Sequence, residues 1–401
     1  MSRQTCPRSS PIVSQPLRIA AVTLLAYLLL ATLVLNYYHG DLRGFSVIGP
    51  RFITQSDCSR VIRPDPPLDL RGTGLGYDGQ FAYYIALDPL KARYCVDNPP
   101  YRYTRILYPL LAWLGALGQP AAIPLTLVLV NLVAAVGGTA ALAAWCQAHR
   151  QSPWWALVYG LNMGQLMAFT RNLTEVLACA LVAGAIYSFD CRPRQRWLAA
   201  SLFGLAGLAR ETTLLFAVLY SLRLLIDAWP ARPRELGARA MFGALAVGPA
   251  LLWQVGLYCW LGSSGLTAGP GFAVLPLAGL IPLYPFAGSV LLVLLALLPP
   301  AFLCLGAALR RLWIDPAARQ RTEIWVLLLH IVFFVLLLPS PSLVDLYSAA
   351  RLGLGGVLAA VCAVAYFPWR GWFYGAAAVW MLAALSYCAL LAGLTPRPIW
   401  P

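Results

Sequence analysis

The residues best equipped for chemistry stand in four short passages. The first is GYDGQFAYYIALDP at 76–89, where Asp78 and Asp88 flank Gln80, Tyr83 and Tyr84. The second, RNLTEVLA, carries Arg171 and Glu175, and the third, LARETTLL, joins Arg210 to Glu211. The fourth, SLVDLYSAARLGL, holds Asp345, Tyr347 and Arg351. A carboxylate can take the proton of a hydroxyl. An arginine grips phosphate through a forked pair of hydrogen bonds. Aromatic faces suit sugar rings. An acceptor hydroxyl and a lipid phosphate would use that whole inventory.

Each passage also has a plainer reading. Asp78 beside Gly79 suits a solvated loop acid. Read as a helix, Asp78, Phe81 and Ile85 share one face, which predicts a helix lying at the outer membrane surface with its aromatics at head-group depth. Asn172 and Glu175 have capping-box spacing, and Arg171 and Glu175, four apart, form an ion pair on one helix face. Asn-Leu-Thr matches an N-glycosylation acceptor, which is discounted so close to a membrane. Arg210 snorkels beside a capping Glu211, and Arg351 anchors a helix end.

The elements that must position these residues follow from composition. Of 401 residues, 60% are hydrophobic and only 11% are charged. A soluble fold cannot hide that much apolar side chain. Apolar runs near the length that spans a bilayer recur along the chain, in continuous stretches and not in the alternation of a membrane barrel. The expectation is an all-α polytopic membrane protein. Eleven spans are expected, at 17–37, 121–146, 153–170, 172–189, 196–209, 211–227, 240–261, 286–309, 323–339, 349–366 and 371–394. The chain then divides into an N-terminal tail at 1–16, one transmembrane domain at 17–394 and a tail at 395–401. The apolar stretch 106–118 is short for a span and is expected to be interfacial or re-entrant.

Charge orients this layout. The net charge is +14, with one lysine, Lys91, among 29 basic residues. The arginines are scattered over short loops and not gathered in a stripe, which excludes nucleic acid as the partner and points to the lipid bilayer. Arg150, Arg192, Arg194, Arg196, Arg232, Arg234, Arg239, Arg310, Arg311, Arg319, Arg321 and Arg370 fall in alternate loops. The positive-inside rule puts those loops and the N-terminus in the cytoplasm. The large first loop, 38–120, then faces outward, and all four polar passages lie on its side. Seven of the fifteen acidic residues fall in it. The Gly- and Pro-rich loop 262–285 joins it there, as a lid or as irregular connection.

Cys58 and Cys95 share the first loop and either pair with each other or remain free thiols. The other eight cysteines read as small apolar or cytoplasmic residues. There is no C-x-x-C, and His39, His149 and His330 are dispersed, so zinc is not expected.

GYDGQFAYYIALDP, YRYTRILYPLLAWLGALG, RNLTE and ARETTLL together resemble the bacterial integral-membrane glycosyltransferases of the GT-C superfamily. Within it, the chain is most similar to the group implicated in cell-surface glycopolymer formation, related to membrane mannosyltransferases. The resemblance covers most of the chain in order and segment layout, and the first-loop motif is its most specific part. It implies a bacterial inner-membrane enzyme that moves a sugar from a polyprenyl-phosphate carrier to a hydroxyl of a glycan or glycolipid at the outer face, with inversion. The first-loop base would match Asp78, with Asp88 as helper. Arg210, Arg171 and Arg351, then Arg102 and Arg105, would hold the carrier phosphate. Gln80, Tyr83, Tyr84, Glu175, Glu211 and Asp345 would orient those groups or meet the acceptor. The sequence lacks the adjacent acidic pair of many members, Gly79 following Asp78, so no metal or other cofactor is expected. A flippase for a lipid-linked sugar and a non-catalytic assembly subunit are the competing classes.

Overall fold

The structure is a computed structural model that describes residues 14–49, 58, 76–228, 233–269, 271–285, 288–344 and 346–393. Asp345 lies outside them. All regular structure among these residues is helical. Among the described residues, five helices are long and apolar enough to cross a membrane. They are α1 (Ser14–Tyr37), α5 (Ile123–Ala148), α11 (Pro233–Leu261), α13 (Gly288–Ile314) and α17 (Gly371–Leu391). The 26 residues of α5 rise ~39 Å at about 1.5 Å each, more than a hydrocarbon core of ~30 Å.

The first loop supplies α2 (Gly79–Leu87), α3 (Pro99–Tyr103) and α4 (Leu107–Gly115). The expected span 153–170 is broken into α6 (Ala156–Gly160) and α7 (Met163–Thr170). Asn162 makes the break, its Oδ1 accepting the Gly164 N–H at 2.8 Å as the cap of the second piece. Next come α8 (Glu175–Cys191), α9 (Arg196–Ala209) and α10 (Leu214–Ala228). The loop 262–285 contains one helical turn, α12 (Gly265–Ala268). The expected span 323–339 is α14 (Thr322–Ile331) continued by a π-turn over Val332–Leu336. The expected span 349–366 is α15 (Leu346–Leu352) and α16 (Leu354–Ala363), parted at Gly353.

Helix α5 lies at the centre of the bundle, packed against α1, α4 and α8, while α9 packs on α8 and α11. Two apolar cores follow. One joins the N-terminal half of α5 to the first loop, α7 and the start of α8. The other joins its C-terminal half to α9, α10, α14 and α16.

One expectation is corrected by burial. Helix α2 does not lie on a membrane surface, because residues 79–86 are all buried among α4, α5 and the turn at 42–46. Its sequence explains this: apart from Gln80, every residue of GQFAYYIAL is apolar, aromatic or glycine, and a helix apolar all round is a buried one. Gln80 is satisfied there, its Oε1 accepting the Gly49 N–H at 3.1 Å. Gly79 lets the helix pass against the chain that follows α7, since a Cβ would overlap the Arg171 carbonyl oxygen. Gly79→Ala is therefore expected to lower stability by about 1–3 kcal/mol, the usual cost of overpacking. Unfolding followed by tryptophan fluorescence checks this, and an unchanged midpoint would mean that α2 shifts freely.

Candidate functional site

Asp78 stands at the N-terminus of α2, where an aspartate ordinarily caps the helix. Here its side chain makes no cap bond. The carboxylate instead turns to two arginines, with Arg351 Nη1 at 2.7 Å and Arg102 Nη1 at 3.1 Å. Arg351 comes from α15, near the far end of the chain. Tyr77 reinforces that junction: its hydroxyl lies 3.3 Å from Ser348 Oγ, and Arg351 lies 5.3 Å from its ring centre.

Arg102 is held from three sides. Its Nε and Nη2 donate to the two oxygens of Asp97, both at 2.7 Å. Its guanidinium lies 4.1 Å from the centre of the Phe81 ring. Arg105 donates to both Glu211 oxygens, at 3.1 and 2.7 Å, and to the Tyr101 hydroxyl at 2.6 Å. Arg210 reaches the Glu175 carboxylate at 2.8 Å, and these side chains are only 4% and 2% exposed. Arg351 Nε lies 3.7 Å from the same Glu175 oxygen.

Together these groups line one cavity of about 360 Å³, its open mouth included. Four arginines and two carboxylates, Asp78 and Glu175, face it. Glu211 and Asp97 stand behind Arg105 and Arg102 as counter-ions. Each of the four arginines already has a carboxylate partner, so an entering anion would compete with those carboxylates for the guanidinium groups. Burial raises the Asp78 pKa, but the pull of Arg351, Arg102 and Arg105 overrides it and holds the carboxyl well below the usual range. A second, apolar cavity of about 500 Å³, its open mouth included, lies between α13, α14 and α17 behind α15. The two share α15, which presents Ala350 to one and Arg351 to the other.

Of the residues singled out by sequence, the cavity thus gathers Asp78, Arg102, Arg105, Arg210, Arg351 and Glu175, with Glu211 behind. Others lie elsewhere. Asp88 ends α2 and accepts the N–H groups of Leu90 and Lys91. Arg171 lies 5.2 Å from the Tyr77 ring centre, outside the cavity lining. Tyr83 and Tyr84 are buried in the core around α2. Cys58 and Cys95 are joined by a disulfide. Among the described residues no group of three or more His, Cys, Asp or Glu could hold a metal.

Two local expectations fail together. The residue capping α8 is Thr174, without a side-chain cap bond, so Asn172 and Glu175 form no capping box. Glu175 pairs with Arg210 and not with Arg171. The reason is Asn172, whose φ of 49° lies in the left-handed region and ends the helical path between Arg171 and Glu175. Its amide holds the turn in place, Nδ2 donating to Ser46 Oγ at 3.1 Å and Oδ1 accepting the Tyr108 hydroxyl at 3.3 Å.

Sequence reasoning missed Asp97 and Tyr101 as partners of the arginines. A signal existed. Asn98 followed by Pro99 is a helix start, and Asn98 Oδ1 does accept the Tyr101 N–H at 3.4 Å. That start sets Asp97 just ahead of a single turn ending near Arg102.

Compared with protein-family models, curated proteins and solved structures, the chain finds no match.

Proposed function

We propose that this protein is a membrane glycosyltransferase of the GT-C kind. It would take a sugar from a polyprenyl-phosphate carrier and transfer it, with inversion, to a hydroxyl of a cell-surface glycan or glycolipid. One observation carries the reading. A partly exposed carboxylate, Asp78, faces a cavity that also presents four arginines, all at one end of a bundle of apolar helices. Proton acceptor and anion clamp share one space. The proposed setting is a bacterial inner membrane, with the N-terminus in the cytoplasm and the cavity open to the outer side.

On this reading the events follow an order. A carboxylate clamped by two arginines is a weak base. A donor phosphate entering among Arg351, Arg210 and Arg105 competes for the guanidinium now on Asp78 and restores its basicity. Asp78 then takes the acceptor proton while the acceptor oxygen bonds to the sugar C1. The bond from C1 to the phosphate oxygen breaks, and the polyprenyl phosphate leaves with its new charge held by the arginines.

The test incubates purified protein with labelled polyprenyl-phosphate sugars and a membrane glycan extract. Label is expected to move into the glycan fraction. Carrier movement across a vesicle bilayer without label transfer would replace the enzyme with a flippase.

A further inference from the structure

A third cavity opens at the other end of the bundle. It lies between the turn that joins α8 to α9 and the facing ends of α10 and α11, and encloses about 940 Å³ with its open mouth. Arg194, Arg196 and Arg239 line it, beside Trp197, Leu224 and Phe242. Leu224 and Phe242 are buried and form an apolar floor. Arg239 is fixed at the wall by donating to the Leu224 carbonyl at 3.0 Å.

The surroundings of the mouth narrow the choice of ligand. Trp197 is 51% exposed, and Leu198, Ile226 and Met241 on the three neighbouring helices are exposed as well. Arg239 lies within a turn of the start of the apolar stretch Leu236–Leu261, which is long enough to cross a membrane. Arginines and a tryptophan at the end of such helices stand at head-group depth. Basic pockets between membrane helices take phosphate-bearing head groups.

We infer that this cavity binds the phosphate of an anionic phospholipid, on the leaflet opposite the Asp78 site. The three guanidinium groups meet the phosphate, and the apolar floor receives the glycerol and the first acyl carbons. A soluble phosphate would gain nothing from the exposed apolar rim. The site stands apart from the proposed transferase chemistry and does not depend on it.

The full chain is purified in detergent and mixed with phosphatidylglycerol or phosphatidylcholine, and retained lipid is counted by native mass spectrometry. Phosphatidylglycerol is expected to be retained about tenfold more strongly, and Arg194→Gln with Arg196→Gln to abolish the preference. Thermal unfolding in nanodiscs of the two lipids reports the same preference as a higher melting temperature, lost in the double variant. Arg223→Gln is the control, because Arg223 pairs with Asp227 and lies outside the cavity lining. Equal retention of both lipids overturns the inference. So does an equal loss in Arg223→Gln, which would mean general attraction to charge. Protection by inorganic phosphate alone, as large as that of phosphatidylglycerol, overturns the lipid assignment.

Discussion

Asp78→Asn is expected to lower sugar transfer by two to four orders of magnitude, the usual contribution of a positioned base, while the protein stays folded. The neighbouring arginines explain the second half of that expectation. Arg102 keeps its two-point pair with Asp97, and Arg351 keeps Glu175 and the Tyr77 ring. The substitution therefore removes the proton acceptor without leaving a guanidinium bare. Acid sensitivity gives an independent readout. Because the folded-state pKa of Asp78 is lowered, its ion pairs stabilise the protein at every pH above the ordinary aspartate value of about 4. That stability is lost as pH falls below this value and through the lowered one. Melting temperatures measured from neutral pH downward should fall more steeply in the wild type than in Asp78→Asn. Label transfer by the purified variant decides the assignment, and full turnover in a folded Asp78→Asn would sink it.

Glu175→Gln is expected to cost about 3–5 kcal/mol of stability, the range for breaking one side of a buried ion pair. Arg210 and Glu175 are almost wholly enclosed, so a guanidinium deprived of its carboxylate finds little water to replace it. Arg351 loses a second partner in the same change. Adding Arg210→Met to Glu175→Gln should recover part of the loss, because the charge left unpaired is then removed too. Chemical unfolding of the two single variants and the double variant gives the coupling directly. A single-variant loss near 0–1 kcal/mol would mean that water reaches the pair and that it behaves as a surface bridge.

The helical, membrane-spanning character was legible in the apolar runs, and so was the gathering of polar passages at one end. That second reading came from arginines remote from the site, in alternate loops. The cavity does unite the passages of Asp78, of Glu175, of Arg210 and Glu211, and of Arg351. The pairings inside it were not legible. Spacing of four joins Arg171 to Glu175 only along an unbroken helix, and the left-handed Asn172 breaks it. Which arginine replaces Arg171 depends on how α8 packs on α9, a contact between segments that local spacing does not encode. The breaks at Asn162 and Gly353 were likewise hidden inside apolar runs, although Asn162 is itself a good cap. For α2 the pattern pointed to burial, but its aromatics were read as a head-group belt.

The junction of Tyr77 with Ser348 joins residues 271 positions apart, and that distance has a meaning for biogenesis. The ribosome delivers the first loop early and α15 nearly last. Glu175 and Arg210 can meet once α9 has been made, because α8 and α9 pack together as neighbours in the chain. Asp78 must wait for Arg351. A nascent chain halted before α15 therefore carries Asp78 and Tyr77 without the Arg351 and Ser348 they meet in the finished fold. Closure of the cavity thus comes late in synthesis, once α15 is in place.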